Sequence, residues 1–226
     1  MKTSLAATIL IAAGAADAAV VPDFRQSPLT TIADRMHSLA VEVVASGDDE
    51  KVNTASGVLV GDGIVLTDLR AVLVKSPGGV VEPAREIAVM TAKGAFPARV
   101  IGAALAVDVA VLELPQAARG IEGPLLAEGP PVVGEQLLAI RASKQGTALL
   151  FEVISFSIEG LDGPRSGSMP PIPGTFVGAP VFDGRGALAG LLVSPSGQDG
   201  VLVPAEYLRE ILSRAHSAVP QVDDHI

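Results

Sequence analysis

The stretch that decides the fold is residues 56–67, SGVLVGDGIVLT, in which two apolar, β-branched runs flank a Gly-Asp-Gly turn. Asp-Gly between two apolar runs is a strong β-hairpin signal, because both residues tolerate the positive φ angles of tight hairpin turns. The two runs are therefore predicted to be neighbouring antiparallel strands, and the same pattern extends along the chain in both directions.

Short apolar runs bounded by turn residues recur on either side of this hairpin. They lie at residues 39–45, 86–90, 96–101, 108–114, 136–141, 149–158, 179–182, 187–193 and 200–203. Repeated short strands indicate an all-β barrel or sandwich. A Pro- and Gly-bearing stretch near residues 115–131 divides the runs into two groups, which predicts a linker. Apolar residues at helical spacing within 204–216 predict a C-terminal helix, and residues 30–36 are predicted to form a short helix.

The first 18 residues have the pattern of a secretory signal. Lys2 supplies the positive end, residues 5–13 are apolar, and Ala16-Asp17-Ala18 offers small residues before a cleavage site. The apolar run is shorter than the roughly 20 residues of a membrane span, and an uncleaved anchor stays the alternative. We therefore expect the chain to be periplasmic or secreted.

Composition limits the classes of fold and partner. With 226 residues and 49% hydrophobic content, the chain can bury one or two cores. It has no cysteine, so its stability is expected to come from packing without disulfides. Its net charge of −9, with only 16 Lys and Arg, argues against nucleic acid as a partner, because phosphate binding needs a basic surface.

Taken in order, these segments resemble the protease domain of the HtrA/Deg family of trypsin-like serine proteases. The similar segments are residues 32–41, 55–60, 64–67, 98–102, 107–112, 133–135, 178–183, 186–190 and 200–208. The resemblance implies an all-β fold of two six-stranded antiparallel β-barrels with a C-terminal helix. The expected division is a signal peptide (1–18), a spacer (19–29), an N-terminal barrel (30–115), a linker (116–131), a C-terminal barrel with its helix (132–216) and a flexible tail (217–226).

The resemblance also implies where a catalytic triad would lie. Family members cut peptide bonds with a serine, a histidine that deprotonates it, and an aspartate that orients the histidine. The histidine follows a Leu-Thr pair by three residues, and here that position is Arg70. The aspartate position is retained as Asp108. Arginine cannot act as a base, because its guanidinium stays protonated.

The serine position is also replaced. Counting back from Pro180 gives Val177, whereas counting forward from Pro173-Gly174 gives Phe176, and neither side chain is a nucleophile. The two counts differ by one residue, which suggests an insertion and a misshapen oxyanion-hole turn. Thr175 and Phe176 are the oxyanion-loop neighbours. Two of the three triad positions are therefore replaced, and no intact catalytic triad is expected at these positions.

Asp108 is expected to have a structural role. In this fold such a carboxylate can accept backbone hydrogen bonds, or it can pair with Arg70 across the cleft. The Arg70–Asp108 ion pair is a hypothesis that rests on the replacement of histidine by arginine at the matching position.

A displaced triad stays an alternative. Thr175 is the nearest hydroxyl, and Ser166 and Ser168 lie upstream in a Gly/Pro/Ser-rich loop predicted to be flexible. A hydroxyl nucleophile needs an adjacent base, and Lys144 is the one lysine late in the chain. The histidines are predicted to lie away from the cleft. They are His37, His216 and His225.

No metal and no cofactor are predicted. Asp223-Asp224-His225 could bind a divalent ion, but such a tail is more often only solvated. The leading prediction is an exported pseudoprotease that binds a peptide or partner protein without cleaving it. The alternatives are an active endopeptidase with a displaced triad and a regulatory subunit of an active paralogue, and a homo- or hetero-oligomer stays open.

Overall fold

A computed structural model describes residues 28–47, 52–75, 79–118, 120–162, 165–169, 172–194 and 200–218. The predicted signal peptide, most of the spacer and most of the tail lie outside these ranges. The helices are α1 (Pro28–Met36) and α2 (Ala205–Ala218). The strands are β1 (Ala40–Ser46), β2 (Val52–Gly61), β3 (Ile64–Asp68), β4 (Leu73–Lys75), β5 (Val81–Pro83), β6 (Glu86–Thr91), β7 (Gly94–Pro97), β8 (Arg99–Ala104), β9 (Val109–Glu113), β10 (Gln136–Gln145), β11 (Ala148–Asp162), β12 (Arg165–Met169), β13 (Pro180–Phe182), β14 (Leu188–Val193) and β15 (Val201–Pro204).

The first half of the chain forms a curled antiparallel sheet with the strand order β7-β6-β1-β2-β3-β9-β8. Its concave side is filled by residues that alternate along the strands, because successive side chains of a strand point to opposite faces. The fully buried members of this core include Val41, Val43, Leu59, Val65 and Leu112. A separate two-stranded sheet joins β4 to β5.

The second half closes into a six-stranded antiparallel barrel with the order β10-β11-β12-β15-β14-β13. Its interior includes Leu137, Ala139, Val181, Leu192 and Leu202. A third core lies between the two units. It combines the outward residues of the first sheet, such as Ala40 and Leu66, with outward residues of the barrel, and α1 and α2 pack against it. The boundary between the first sheet and the barrel is therefore apolar and buried at its centre.

The fold class is confirmed. The hairpin predicted from the Gly-Asp-Gly turn joins β2 to β3, with φ angles of 50° at Asp62 and 75° at Gly63. The chain is mostly β, its sheets are curled and antiparallel, and α2 follows the last strand as expected. The first sheet differs in detail, since it contains seven strands in the described part of the chain where six were expected.

Two predicted segments differ in structure. The run at residues 96–101 is divided at Ala98 between β7 and β8, and the amide of Ala98 turns to the carbonyl oxygen of Ile87 at 2.8 Å. Residues 165–169, within the loop predicted to be flexible, form β12, which pairs with β11 and β15 and completes the barrel. Neither described helix is long and apolar enough to cross a membrane.

Candidate functional site

The first part of the candidate site is the end of β3 and the 3-10 helix that follows it (Leu69–Val72). The Thr67 hydroxyl donates to the carbonyl oxygen of Ser56 at 2.7 Å, which fixes β3 against β2. Asp68 then caps the 3-10 helix, because its Oδ1 accepts a hydrogen bond from the Arg70 amide at 2.8 Å. This cap fixes the backbone of Arg70 directly after β3.

Asp68 also connects the two units directly. Its other oxygen, Oδ2, accepts from the backbone amide of Ser194, just after β14, at 2.9 Å. The residue is fully buried, and burial raises the pKa of Asp68 from 3.8. The hydrogen bonds from Ser194 and Arg70, and the charge of Arg70, act in the opposite direction on this pKa, whereas the charge of Asp108 adds to the increase. Asp68 was not among the site residues predicted from the sequence.

Arg70 lies beside a carboxylate other than the hypothesised one. Its Nε lies 4.0 Å from Oδ1 of Asp68, and its side chain is 42% exposed. The carboxylate that lies beside the Arg70 guanidinium is thus that of Asp68, and a pair of Arg70 with Asp108 stays a prediction. The proximity is local, because the cap at the start of the 3-10 helix holds the Asp68 carboxylate two residues from Arg70. The guanidinium still offers donors only.

Asp108 has a clear backbone role. Its φ angle is 56°, a left-handed conformation that Asp and Asn adopt more readily than most residues. Its carbonyl oxygen accepts from the Leu69 amide at 2.8 Å, and β9 begins at the next residue. This turn therefore supports, through its backbone, the start of the 3-10 helix that carries Arg70, whereas the role expected of the Asp108 carboxylate stays a prediction.

The second part of the candidate site is the loop of residues 174–178, whose first half is a 3-10 helix (Gly174–Phe176). The Val177 amide donates to the carbonyl oxygen of Gly174 at 3.3 Å. Phe176 is only 4% exposed and packs in the core of the barrel, whereas Thr175 is exposed and Val177 is half-buried. Of the two counts for the serine position, the geometry therefore favours Val177.

The loop lies directly against the first sheet. The carbonyl oxygen of Val177 accepts from the Ser56 amide at 2.9 Å. Gly178 has a φ of 78°, and a Cβ there would overlap the carbonyl oxygen of Ser56 and come within 3.0 Å of the Thr67 hydroxyl. Arg70 and Val177 thus belong to segments on the two sides of one boundary. We call the region between the segments 67–70 and 174–178 the candidate cleft.

The oxyanion-hole role has a geometric requirement. Backbone amides must point at the position of the developing charge, at about 2.7–3.1 Å from it. Here the Val177 amide is engaged within its own turn, with Gly174 as acceptor. The candidate cleft therefore combines a side chain that cannot take a proton, a side chain that cannot attack, and an amide that already has an acceptor.

The residues considered for a displaced triad are scattered. Ser166 and Ser168 lie on β12, and Lys144 is exposed near the end of β10. His37 lies in a 3-10 helix before β1, as expected, and its ring contacts Phe151 edge-on with 5.0 Å between centroids. His216 is in α2, whereas His225 lies outside the described residues, as do the acidic residues beside it.

A pocket of about 290 Å³ opens beside the loop of residues 174–177. Strands β1, β2 and β10 form its other walls, so both halves of the chain contribute to it. Among the described residues, no group of three or more His, Cys, Asp or Glu is placed to hold a metal ion.

The pocket contains an acidic side chain that the sequence analysis missed. Glu42 is only 8% exposed, and its Oε2 accepts from the Lys144 amide at 2.9 Å. Ser56, next to it on β2, bonds with the backbone of Ala142 across the same boundary. The available signal was a single acidic residue within the apolar run AVEVVA of residues 40–45.

Comparison with known proteins supports the fold and the family. A family model described as a trypsin-like peptidase domain matches residues 55–191, more than half of the chain. The fold is similar to the crystal structure of the serine endoprotease from Yersinia pestis, with a TM-score of 0.66 and 18% sequence identity. That match covers 84% of this chain and 66% of the other, and at this identity it shows the fold alone. No curated protein matches the chain. The matched segment contains Arg70, Asp108 and Val177, and the chain belongs to the trypsin-like peptidase domain family.

Proposed function

We propose that this chain is a pseudoprotease that holds an extended peptide, or a segment of a partner protein, at the candidate cleft without cutting it. The observation that carries the proposal is the pair of side chains at the two reactive positions, Arg70 and Val177. They belong to segments on the two sides of one boundary, and neither can perform the step that its position serves in an active member of the family.

The chemistry supports the loss of cleavage. Peptide hydrolysis by this type of site needs a base that removes a proton and a hydroxyl that attacks the carbonyl carbon. A guanidinium gives no base and an isopropyl group gives no nucleophile. The turn adds a third obstacle, because the Val177 amide would have to leave the carbonyl oxygen of Gly174 before it could stabilise an oxyanion.

Binding does not need the missing groups. Peptides add to a sheet or cleft through backbone hydrogen bonds and through pockets that take alternate side chains, and neither requires a triad. The candidate cleft has a pocket beside it, and Thr175 is an exposed hydroxyl on its rim. The export predicted from residues 1–18 would place this function in the periplasm or outside the cell.

The competing proposal is an active endopeptidase that uses Thr175 in place of the serine. The exposure of Thr175 is the one observation in its favour. This route requires a base beside the Thr175 hydroxyl, and a Thr175→Val variant removes that hydroxyl while keeping the shape of the side chain. Under the pseudoprotease proposal, the natural chain and the Thr175→Val variant both leave the substrate uncleaved.

The test is turnover of unfolded casein and of a fluorogenic peptide library by the purified chain. An Arg70→His/Val177→Ser variant serves as the matched comparison, because it restores a base and a nucleophile at the two positions. We expect no cleavage by the natural chain and slow cleavage by the double variant that a serine-directed inhibitor blocks. Cleavage by the natural chain that Thr175→Val abolishes would establish the displaced-triad alternative.

A further inference from the structure

The pocket beside the loop of residues 174–177 has an unusual charge distribution. Two charged side chains line it, Glu42 from β1 and Arg141 from β10. Arg141 is already paired, since its Nη1 lies 2.8 Å from Oε2 of Glu152. Among the described residues, Glu42 forms no ion pair, and a neutral backbone amide of Lys144 is the donor to its Oε2. Of these two charged side chains, Glu42 is therefore the one without an opposite charge beside it in the described part of the chain.

The burial of Glu42 makes the lack of a neighbouring cation energetically important. The residue is only 8% exposed, and it lines the pocket. A buried carboxylate without a cation is costly, whereas a hydrogen-bonded cation beside it recovers much of that cost. The other lining residues include Thr54, Ser143 and Thr175, whose hydroxyls are neutral and can accept hydrogen bonds.

We infer that this pocket binds a basic side chain, the ammonium of lysine or the guanidinium of arginine, from the peptide held at the candidate cleft. The inference rests on the proposed function for the identity of the peptide, but the pocket's preference for a cation follows from Glu42 alone. A volume of about 290 Å³ is at the lower limit for small-molecule sites, which suits one long side chain better than a larger ligand.

The charge of the whole chain supports the same partner. A net charge of −9 attracts cationic segments and repels acidic ones at long range. The pocket then provides the short-range contact. Val177 lines it as well, so a basic residue would be bound next to the position that carries the nucleophile in an active member of the family.

The test uses two small probes, N-acetyl-lysine N-methylamide and its norleucine analogue, which has a similar apolar stem without the ammonium. Each is titrated into the full chain labelled with ¹⁵N, and amide shifts at Thr54, Ser143 and Thr175 are followed. We expect the lysine probe to bind at these residues at least about tenfold more tightly than the norleucine probe, the ratio for one hydrogen bond to a charged group. This comparison needs no variant.

Glu42→Gln then assigns the preference to one side chain. Glutamine keeps an oxygen that can accept from the Lys144 amide, so the fold is expected to be retained. The matched control is Glu82→Gln, an exposed glutamate on β5 that makes the same change in net charge. Glu42→Gln is expected to lower affinity for the lysine probe by about tenfold, and Glu82→Gln to leave it within about twofold.

Three results overturn the inference: no shift at the pocket with the lysine probe, equal binding of the norleucine probe, or equal loss in both variants. The proposed function is tested separately by binding of unfolded casein and of the peptide library. If the lysine probe binds as expected but neither casein nor any library peptide does, the pocket assignment holds and the peptide-holding function fails. If peptides bind without any preference for basic residues that depends on Glu42, the function holds and the pocket assignment fails.

Discussion

Replacing Asp68 tests whether a buried carboxylate ties the first sheet to the barrel. Asp68 accepts from the Arg70 amide at 2.8 Å and from the Ser194 amide at 2.9 Å, one hydrogen bond on each oxygen. Asp68→Ala leaves the buried Ser194 amide and the partly buried Arg70 amide without their acceptor, and an unsatisfied buried group costs about 1–3 kcal/mol. Removal of a buried charge offsets part of this loss, so we expect the free energy of unfolding to fall by about 2–4 kcal/mol.

Asp68→Asn separates the hydrogen bonds from the charge. Its amide group offers one acceptor oxygen, and its NH₂ faces the second donor, so we expect a loss of about 1–3 kcal/mol at neutral pH. Asp62→Asn is the matched control, because it removes the same charge from an exposed turn whose positive φ asparagine tolerates. The control is expected to change stability by less than about 0.5 kcal/mol.

The pH dependence has a definite sign. Burial raises the pKa of Asp68 above its unfolded value of 3.8, so the folded state binds this proton more readily than the unfolded state. The contribution of Asp68 to the free energy of unfolding is therefore greatest below about pH 3.8, and it is lost as the pH rises through the pKa of Asp68 in the folded state. Consequently, the stability advantage of the natural chain over Asp68→Asn should narrow as the pH rises above about 4.

Urea unfolding of the natural chain, Asp68→Asn and Asp62→Asn at a series of pH values measures both effects. Differences between variants cancel the titration of groups that the variants share. An advantage over Asp68→Asn that widens with rising pH would refute the argument that desolvation dominates at this carboxylate. An Asp68→Ala variant as stable as the natural chain would refute the tie between the two units.

Three further changes test the packing at the candidate cleft, each by urea unfolding. Gly178→Ala should lower the free energy of unfolding by more than about 3 kcal/mol, because the new Cβ overlaps the Ser56 carbonyl oxygen. Gly174→Ala, with open space around it, should lower it by less than about 1 kcal/mol. Equal effects of the two variants would contradict the close approach at Gly178. Ser56→Ala should cost about 1–3 kcal/mol, since the buried Ala142 amide loses its acceptor, and an unchanged midpoint would show that this contact is dispensable. Asp108→Gly should be more stable than Asp108→Ala by about 0.5–1 kcal/mol because of the left-handed φ; the reverse order would count against that backbone role.

Much of the fold could be predicted because its signals are local. The Gly-Asp-Gly turn, the alternating strands and the helical spacing of α2 each lie within a few residues of sequence. Strand β12 was missed for the opposite reason. Its residues, RSGSM, carry no apolar alternation, and it is a strand because β11 and β15 offer it backbone partners on both sides. Such pairing depends on segments distant in sequence.

The candidate site could be located in part. Arg70 and Val177 were assigned to the histidine and serine positions by counting along the chain from the family's motifs, and that assignment stays a prediction. Two acidic residues were missed, since their partners are far away in sequence: the Lys144 amide is 102 residues from Glu42, and the Ser194 amide is 126 residues from Asp68. An acidic residue beside or within an apolar strand is the signal that would have pointed to both.

The most direct test of the central claim measures binding and cleavage on the same substrate. Unfolded casein is incubated with the natural chain, the complex is isolated by size exclusion, and the casein in it is examined by intact-mass spectrometry, with Arg70→His/Val177→Ser in parallel. A pseudoprotease retains casein of unchanged mass after prolonged incubation. Casein fragments produced by the natural chain, at a rate that a serine-directed inhibitor or Thr175→Val reduces, would contradict the account.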